Sequence, residues 1–144
     1  MKTQIITKEQ ALLNHLDDDT LTLDDIQEQS YGYEGMFYEV SSEEYMVLTD
    51  EELETVTKER ILEEVWAFNT WFIIDHLKEG IDIPEEGIKA IQEKYEDGNE
   101  SILSLIDQDS FVESAISYDG YGHFNSPYDG NHHEVDGYHI FRMN

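Results

Sequence analysis

The sequence predicts an α+β fold: a long central helix packed on a small antiparallel sheet, with short flanking helices. Three observations carry this. Thr49-Asp50-Glu51-Glu52 is a capping box, Thr at the N-cap and Glu at N3, and it opens the strongest helical segment, about Asp50 to Lys78. Met36 to Val40 and Tyr45 to Leu48 are rich in aromatic and β-branched residues and flank the polar turn Ser41-Ser42-Glu43-Glu44, which makes them a hairpin. After Tyr118, the pairs Asp119-Gly120, Asp129-Gly130 and Asp136-Gly137 mark turns between short aromatic segments.

In chain order, Thr7-Lys8-Glu9-Gln10 is a first capping box, opening a short helix through Leu12, Leu13 and Leu16 that Asp17-Asp18-Asp19 ends. Thr22 to Gln29 reads as a second short helix with Leu23 and Ile26 inward. Ser30-Tyr31-Gly32-Tyr33-Glu34-Gly35 is a turn-rich loop before the hairpin. Within the long helical segment, nine of the thirteen residues from Val65 to Leu77 are apolar and point nearly all round the axis, so this half is expected to be the buried spine of the core. Gly80 ends it. Pro84 sits at the start of the next helix, which runs to about Tyr95. Asn99 caps a short helix through Ile102, Leu103, Leu105 and Ile106. Phe111, Val112, Ala115 and Ile116 fall at helical spacing, so Ser110 to Ser117 is helical. Tyr138 to Met143 alternates as a strand does. Segments 36–48 and 122–143 are expected to supply three or four strands. The length fits a single domain over residues 1–144.

Thirty-four acidic side chains stand against eight basic ones, a formal net charge of −26. Solubility needs a magnitude of only about 2–8, and self-repulsion on this scale opposes a compact fold. Aromatics make up 12% of the chain, too many for an acidic disordered tail. There is no cysteine, hence no disulfide or thiolate chemistry. The N-terminus lacks the apolar region of a signal peptide, and Val65 to Leu77 is too short to span a bilayer. The expectation is a cytoplasmic protein that avoids nucleic acid and membrane and takes a basic partner.

Several motifs combine into a resemblance. Leu48-Thr49-Asp50-Glu51-Glu52, Trp66-Ala67-Phe68-Asn69, Asp119-Gly120-Tyr121-Gly122-His123-Phe124, Tyr128-Asp129-Gly130 and the terminal Tyr138-x-Ile140-x-Arg142-x-Asn144 resemble a group of small acidic proteins carried by bacteriophages and plasmids, over roughly residues 38 to 144. The resemblance brings no activity and no site residues with it. It implies context: a mobile-element protein acting inside a bacterial host cell, where host takeover and counter-defence are common tasks.

The acids are spread along the chain as candidate surfaces. B-DNA carries one negative charge per about 1.7 Å of axis, whereas helical turns lie about 5.4 Å apart. One stripe of carboxylates therefore falls short of DNA, and several acidic elements must act together. The expected partner-binding residues are Glu51, Glu52, Glu54, Glu59, Glu63 and Glu64, backed by Asp17, Asp18, Asp19, Asp24, Asp25, Glu43 and Glu44. Glu52, Glu59 and Glu63 share one helical stripe. The function this points to is a nucleic-acid mimic that inhibits a host nucleic-acid-binding protein, a defence nuclease, in the manner of anti-restriction or anti-CRISPR proteins. Solvation alone is the plainer explanation of the same acids.

Other chemistry is thinly signalled. Asp17-x-Asp19 with Glu28 copies the ends of an EF-hand loop, but Leu21 and Thr22 occupy the positions of a ligand and of the invariant Gly. His123, His132, His133 and His139, with Asp129, Glu134 and Asp136, contain the ligand types of a metal site without a standard zinc spacing, and His132 and His133 would face opposite ways in a strand. They read as a polar hairpin surface, and neither metal nor cofactor is expected. No phosphate loop, G-x-S-x-G or H-E-x-x-H is present, so no enzyme is expected. Two alternatives stay open: an accessory protein-binding module using Tyr31, Tyr33, Tyr118, Tyr121 and Tyr128, and a small metal-binding protein using the C-terminal His/Asp block.

Overall fold

Ser41 and Ser42 both adopt positive φ (51° and 69°), the backbone of a two-residue hairpin turn whose twist matches that of the strands it joins. In the computed structural model, which describes residues 5–29 and 34–144, they link β2 (Phe37–Val40) to β3 (Glu43–Leu48). The hairpin expected from sequence is there, with a turn two residues shorter. Asp136 and Gly137 (φ 54° and 85°) do the same for β4 (His133–Val135) and β5 (Tyr138–Arg142). A fifth strand, β1 (Gln27–Gln29), lies where a helix was expected. Thr22 N–H donates to Asp25 Oδ2 at 2.7 Å, but the turn it starts is only the 3-10 segment Leu23–Asp25. Ile26 is then extended and buried, Leu23 stays exposed, and pairing with β2 takes the chain. The predicted loop from Ser30 lies outside the described residues as far as Tyr33.

The sheet order is β1-β2-β3-β5-β4, every pair antiparallel. The strand period of two sorts its side chains. Tyr38, Val40, Tyr45, Val47 and Ile140 form one cluster with Leu12 and Ile26. Leu12 comes from α1 (Lys8–Leu16), which Thr7 caps by accepting from Gln10 N–H at 3.1 Å. Phe37, Met46, Leu48, His139 and Phe141 alternate with that set and are buried on the other side.

The chain divides into two compact units, Met1–Thr55 with Tyr121–Asn144, and Val56–Gly120. The first holds the sheet and α1. The second is helical: the end of α2 (Asp50–Glu63), then α3 (Thr70–Asp75), α4 (Glu85–Gln92), α5 (Asn99–Leu105) and most of α6 (Gln108–Asn125). Val56, Ile61, Ile73, Ile88, Ile102, Ile106 and Phe111 are buried in it.

The helix expected from Asp50 to Lys78 is broken. It stops at Glu63, passes through a 3-10 segment (Val65–Ala67), and restarts after Asn69, which caps α3 by accepting from Trp71 N–H at 2.8 Å. The Val65 to Leu77 run is therefore no buried spine. Val65 and Ile73 are buried, while Trp71 is 56% exposed. Apolar residues that would point all round one ideal axis are instead divided between the 3-10 segment and α3. The backbone groups freed by the break find side-chain partners. Asn99 Oδ1 accepts from Trp66 N–H (3.2 Å) and Asn99 Nδ2 donates to Leu62 O (2.8 Å). Gln92 Nε2 donates to Trp66 O (2.8 Å) and Phe68 O (2.6 Å). Asn99 thus bridges a gap in another segment instead of capping α5, whose N-cap is Gly98.

Two smaller expectations also change. α4 ends at Gln92, short of Tyr95, with Pro84 as its N-cap. Asp119-Gly120 is no turn between strands. Gly120 (φ 80°, ψ 161°) leaves the helical conformation and interrupts α6, and a second helical stretch follows it to Asn125.

Candidate functional site

The acids on α2 follow from its capping box. Thr49 N–H donates to Glu52 Oε1 (2.9 Å) and Glu52 N–H to Thr49 Oγ1 (3.2 Å). Glu52 also accepts from Lys8 Nζ at 2.6 Å. Burial raises its pKa, but Lys8 and the Thr49 bonds outweigh this and hold the carboxyl below its ordinary value. Glu52 is thus a structural acid, half-buried, rather than part of an open stripe. Glu51, Glu54, Glu59, Glu63 and Glu64 are exposed.

The supporting acids divide in the same way. Asp17, Asp18, Asp19, Asp24 and Asp25 are all exposed, in the turns around the 3-10 segment. Asp17 is the left-handed C-cap of α1. Asp18 Oδ1 accepts from Thr20 Oγ1 (2.6 Å) and Thr20 N–H (2.9 Å), and these bonds lower its pKa. Glu43 is tied inward, accepting from Tyr45 OH (2.6 Å) and from Arg142 Nη2 (3.1 Å). Glu44 is half-buried beside it, its N–H donating to Asn144 Oδ1. Among the tyrosines singled out, Tyr118 is 81% exposed, Tyr121 is half-buried, and Tyr128 lies under Arg142, whose guanidinium carbon is 3.7 Å from the ring centroid. Tyr31 and Tyr33 lie outside the described residues.

A second constellation lies at the C-terminal hairpin. Glu134 pairs with His139 across β4 and β5, and His132 stands two residues before Glu134. The period of two therefore brings all three to one face, and sends His133 to the other, where its ring is 4.6 Å from that of His15. The loop leading to His132 is set by Ser126, whose single hydroxyl proton is shared between Arg142 O (2.8 Å) and Asp129 Oδ1 (2.9 Å). Gly122 is buried against that loop, where any Cβ would overlap the Gly130 carbonyl. The His132 ring lies parallel to Phe141 at 4.9 Å and edge-on to Tyr121 at 5.6 Å.

His132 Nε2 is 2.7 Å from His139 Nδ1, and His139 Nε2 is 2.6 Å from Asp50 Oδ1. A carboxylate only accepts, so Nε2 of a neutral His139 carries the proton and Nδ1 presents a lone pair. Glu134 Oε1 lies 3.7 Å from that same Nδ1. Burial, and then the neighbouring His139, push the His132 pKa down, with Glu134 opposing. This is the one group among the described residues with the makings of a metal site. Spacing along the chain hides it. The signal is His-x-Glu, a two-residue turn and a second His placed by hairpin register.

No helix among the described residues is long and apolar enough to cross a membrane. No protein-family profile, curated protein or solved structure matches the chain.

Proposed function

We propose that this protein is an acidic mimic of nucleic acid that occupies the basic cleft of a host nucleic-acid-binding protein, a defence nuclease, and so inhibits it. The observation that supports this most is a net charge of −26 whose candidate carboxylates are largely exposed: Asp17, Asp18, Asp19, Asp24, Asp25, Glu51, Glu54, Glu59, Glu63 and Glu64. Lys8 and Arg142 are committed to Glu52 and Glu43, and Lys58 and Lys89 hold Asp109 and Glu85. In the complex these carboxylates meet the Lys and Arg side chains that otherwise hold phosphates. No catalytic residue, cofactor, membrane or direct nucleic-acid contact is needed. The resemblance to phage and plasmid proteins supports the choice of a bacterial defence enzyme as target.

The test is capture from a bacterial lysate at low and high salt, comparing the wild type with a chain carrying Glu51→Lys, Glu54→Lys, Glu59→Lys, Glu63→Lys and Glu64→Lys. The wild type should retain nucleic-acid-binding proteins at low salt and lose them at high salt, and the reversed chain should retain none. Equal capture by both chains would instead favour an accessory binding module. The observation behind that second reading is the exposed ring of Tyr118, with Tyr118→Ala as its own test.

A further inference from the structure

The C-terminal hairpin assembles donors that no part of the acidic-surface reading uses. His132, Glu134 and His139 offer one ligand atom each, all within 4.8 Å of one another. Two are imidazole nitrogens and one is a carboxylate oxygen. His139 is buried, and its outer nitrogen is held by Asp50 at 2.6 Å, so its inner nitrogen is turned toward His132 and Glu134. Metal-ligating histidines are held in this way, with the second nitrogen donating to a carboxylate that fixes tautomer and ring orientation. His132 is oriented independently by Phe141 and Tyr121.

We propose that His132 Nε2, His139 Nδ1 and the Glu134 carboxylate bind one divalent transition-metal ion, zinc by the character of the ligands, with Asp50 as the residue that positions His139. Two imidazoles and one carboxylate match the zinc sites that keep a fourth position open for water or for an atom of a ligand. Calcium and magnesium are poor fits, since they take oxygen ligands and this site offers two nitrogens. Nitrogens about 2.0–2.1 Å from a tetrahedral ion stand roughly 3.3 Å apart. The His132 and His139 nitrogens are 2.7 Å apart, so the proton between them must leave and the rings must part by about 0.6 Å. His132 precedes β4 at the sheet edge, where a movement of that size breaks no strand pairing.

The same contacts without a metal would make only a hydrogen-bonded clamp from Asp50 through His139 to His132, and experiment separates the two. Chelator-stripped protein is titrated with zinc in a large excess of magnesium, which occupies the surface carboxylates, and cobalt(II) is used in parallel as a spectroscopic probe. One zinc per chain, and the intense visible absorption of a tetrahedral cobalt centre, are expected. Glu134→Gln removes a ligand from an exposed position (70% side-chain exposure) without touching the core, and should abolish both signals, as should His132→Ala. Asp50→Asn should weaken zinc about 10–100-fold while leaving the cobalt spectrum tetrahedral. The proposal is overturned if the wild type takes up no zinc above the magnesium background, or if folded Glu134→Gln binds zinc as the wild type does.

Discussion

Lys8 Nζ lies 2.6 Å from Glu52 Oε1, and the same oxygen accepts from the Thr49 N–H that opens α2. One carboxylate therefore joins α1 to the capping box of α2. Glu52→Gln keeps a capping side chain but loses the charge, leaving the largely buried Lys8 ammonium bonded to the neutral Gly35 carbonyl without its counter-charge. We expect a loss of about 1–2 kcal/mol near neutral pH, read by chemical denaturation. The sign with pH follows from the lowered pKa of Glu52. Its contribution is full above the ordinary carboxylate value and is lost as pH falls through the folded one. The gap between wild type and variant should therefore close in acid, and a constant gap would refute the assignment.

Asn99 and Gln92 hold the break after α2 by bonding the backbone of Leu62, Trp66 and Phe68. Asn99→Ala leaves a backbone donor and a backbone acceptor without these partners and should cost about 1–3 kcal/mol. Amide exchange at Trp66 should quicken in the variant. If the segment from Asp50 to Lys78 became one continuous helix, helical circular dichroism would rise instead, and the bridging role would be wrong.

Much of the first unit was legible from sequence because its signals are local. Thr7 and Thr49 cap the helices expected of them, Met36 to Leu48 carries strands where aromatic and β-branched residues placed them, and Tyr138 to Met143 carries one where alternation did. The break at Glu63 was not legible, because the residues that make it tolerable lie about thirty positions away. The same holds for the histidines: only the register Glu134↔His139 shows that three residues without a zinc spacing converge. Among the acids, what each carboxylate engages was not legible. Glu43 and Glu52 look like their neighbours in sequence, and only the fold turns them inward onto Arg142 and Lys8.

Gly122→Ala tests the loop that delivers His132. A Cβ there meets backbone, not a side chain that could swing away, so the Gly130 loop must move. A loss of roughly 1–3 kcal/mol or more is expected, with loosened packing of His132 seen in its ring resonances. A neutral substitution would mean that the loop does not lie against α6.

The excess of acids, 34 against eight basic side chains, should also make the fold salt-dependent. Carboxylates within about 8–10 Å of one another repel, and salt screens them. The thermal midpoint should therefore rise from low to physiological ionic strength in calorimetry. The reversed chain with lysines at Glu51, Glu54, Glu59, Glu63 and Glu64 should show a smaller rise. A midpoint that falls with salt would mean that internal ion pairs, not surface repulsion, dominate.

If the acidic surface stands in for nucleic acid, nucleic acid must displace it from its partner. A bacterial protein captured on the immobilised chain at low salt is challenged with duplex DNA and, separately, with the same charge concentration of a simple salt. Release by DNA is expected at concentrations where the simple salt releases little, with a DNA-binding protein recovered in the eluate. Retention through the DNA challenge would contradict mimicry.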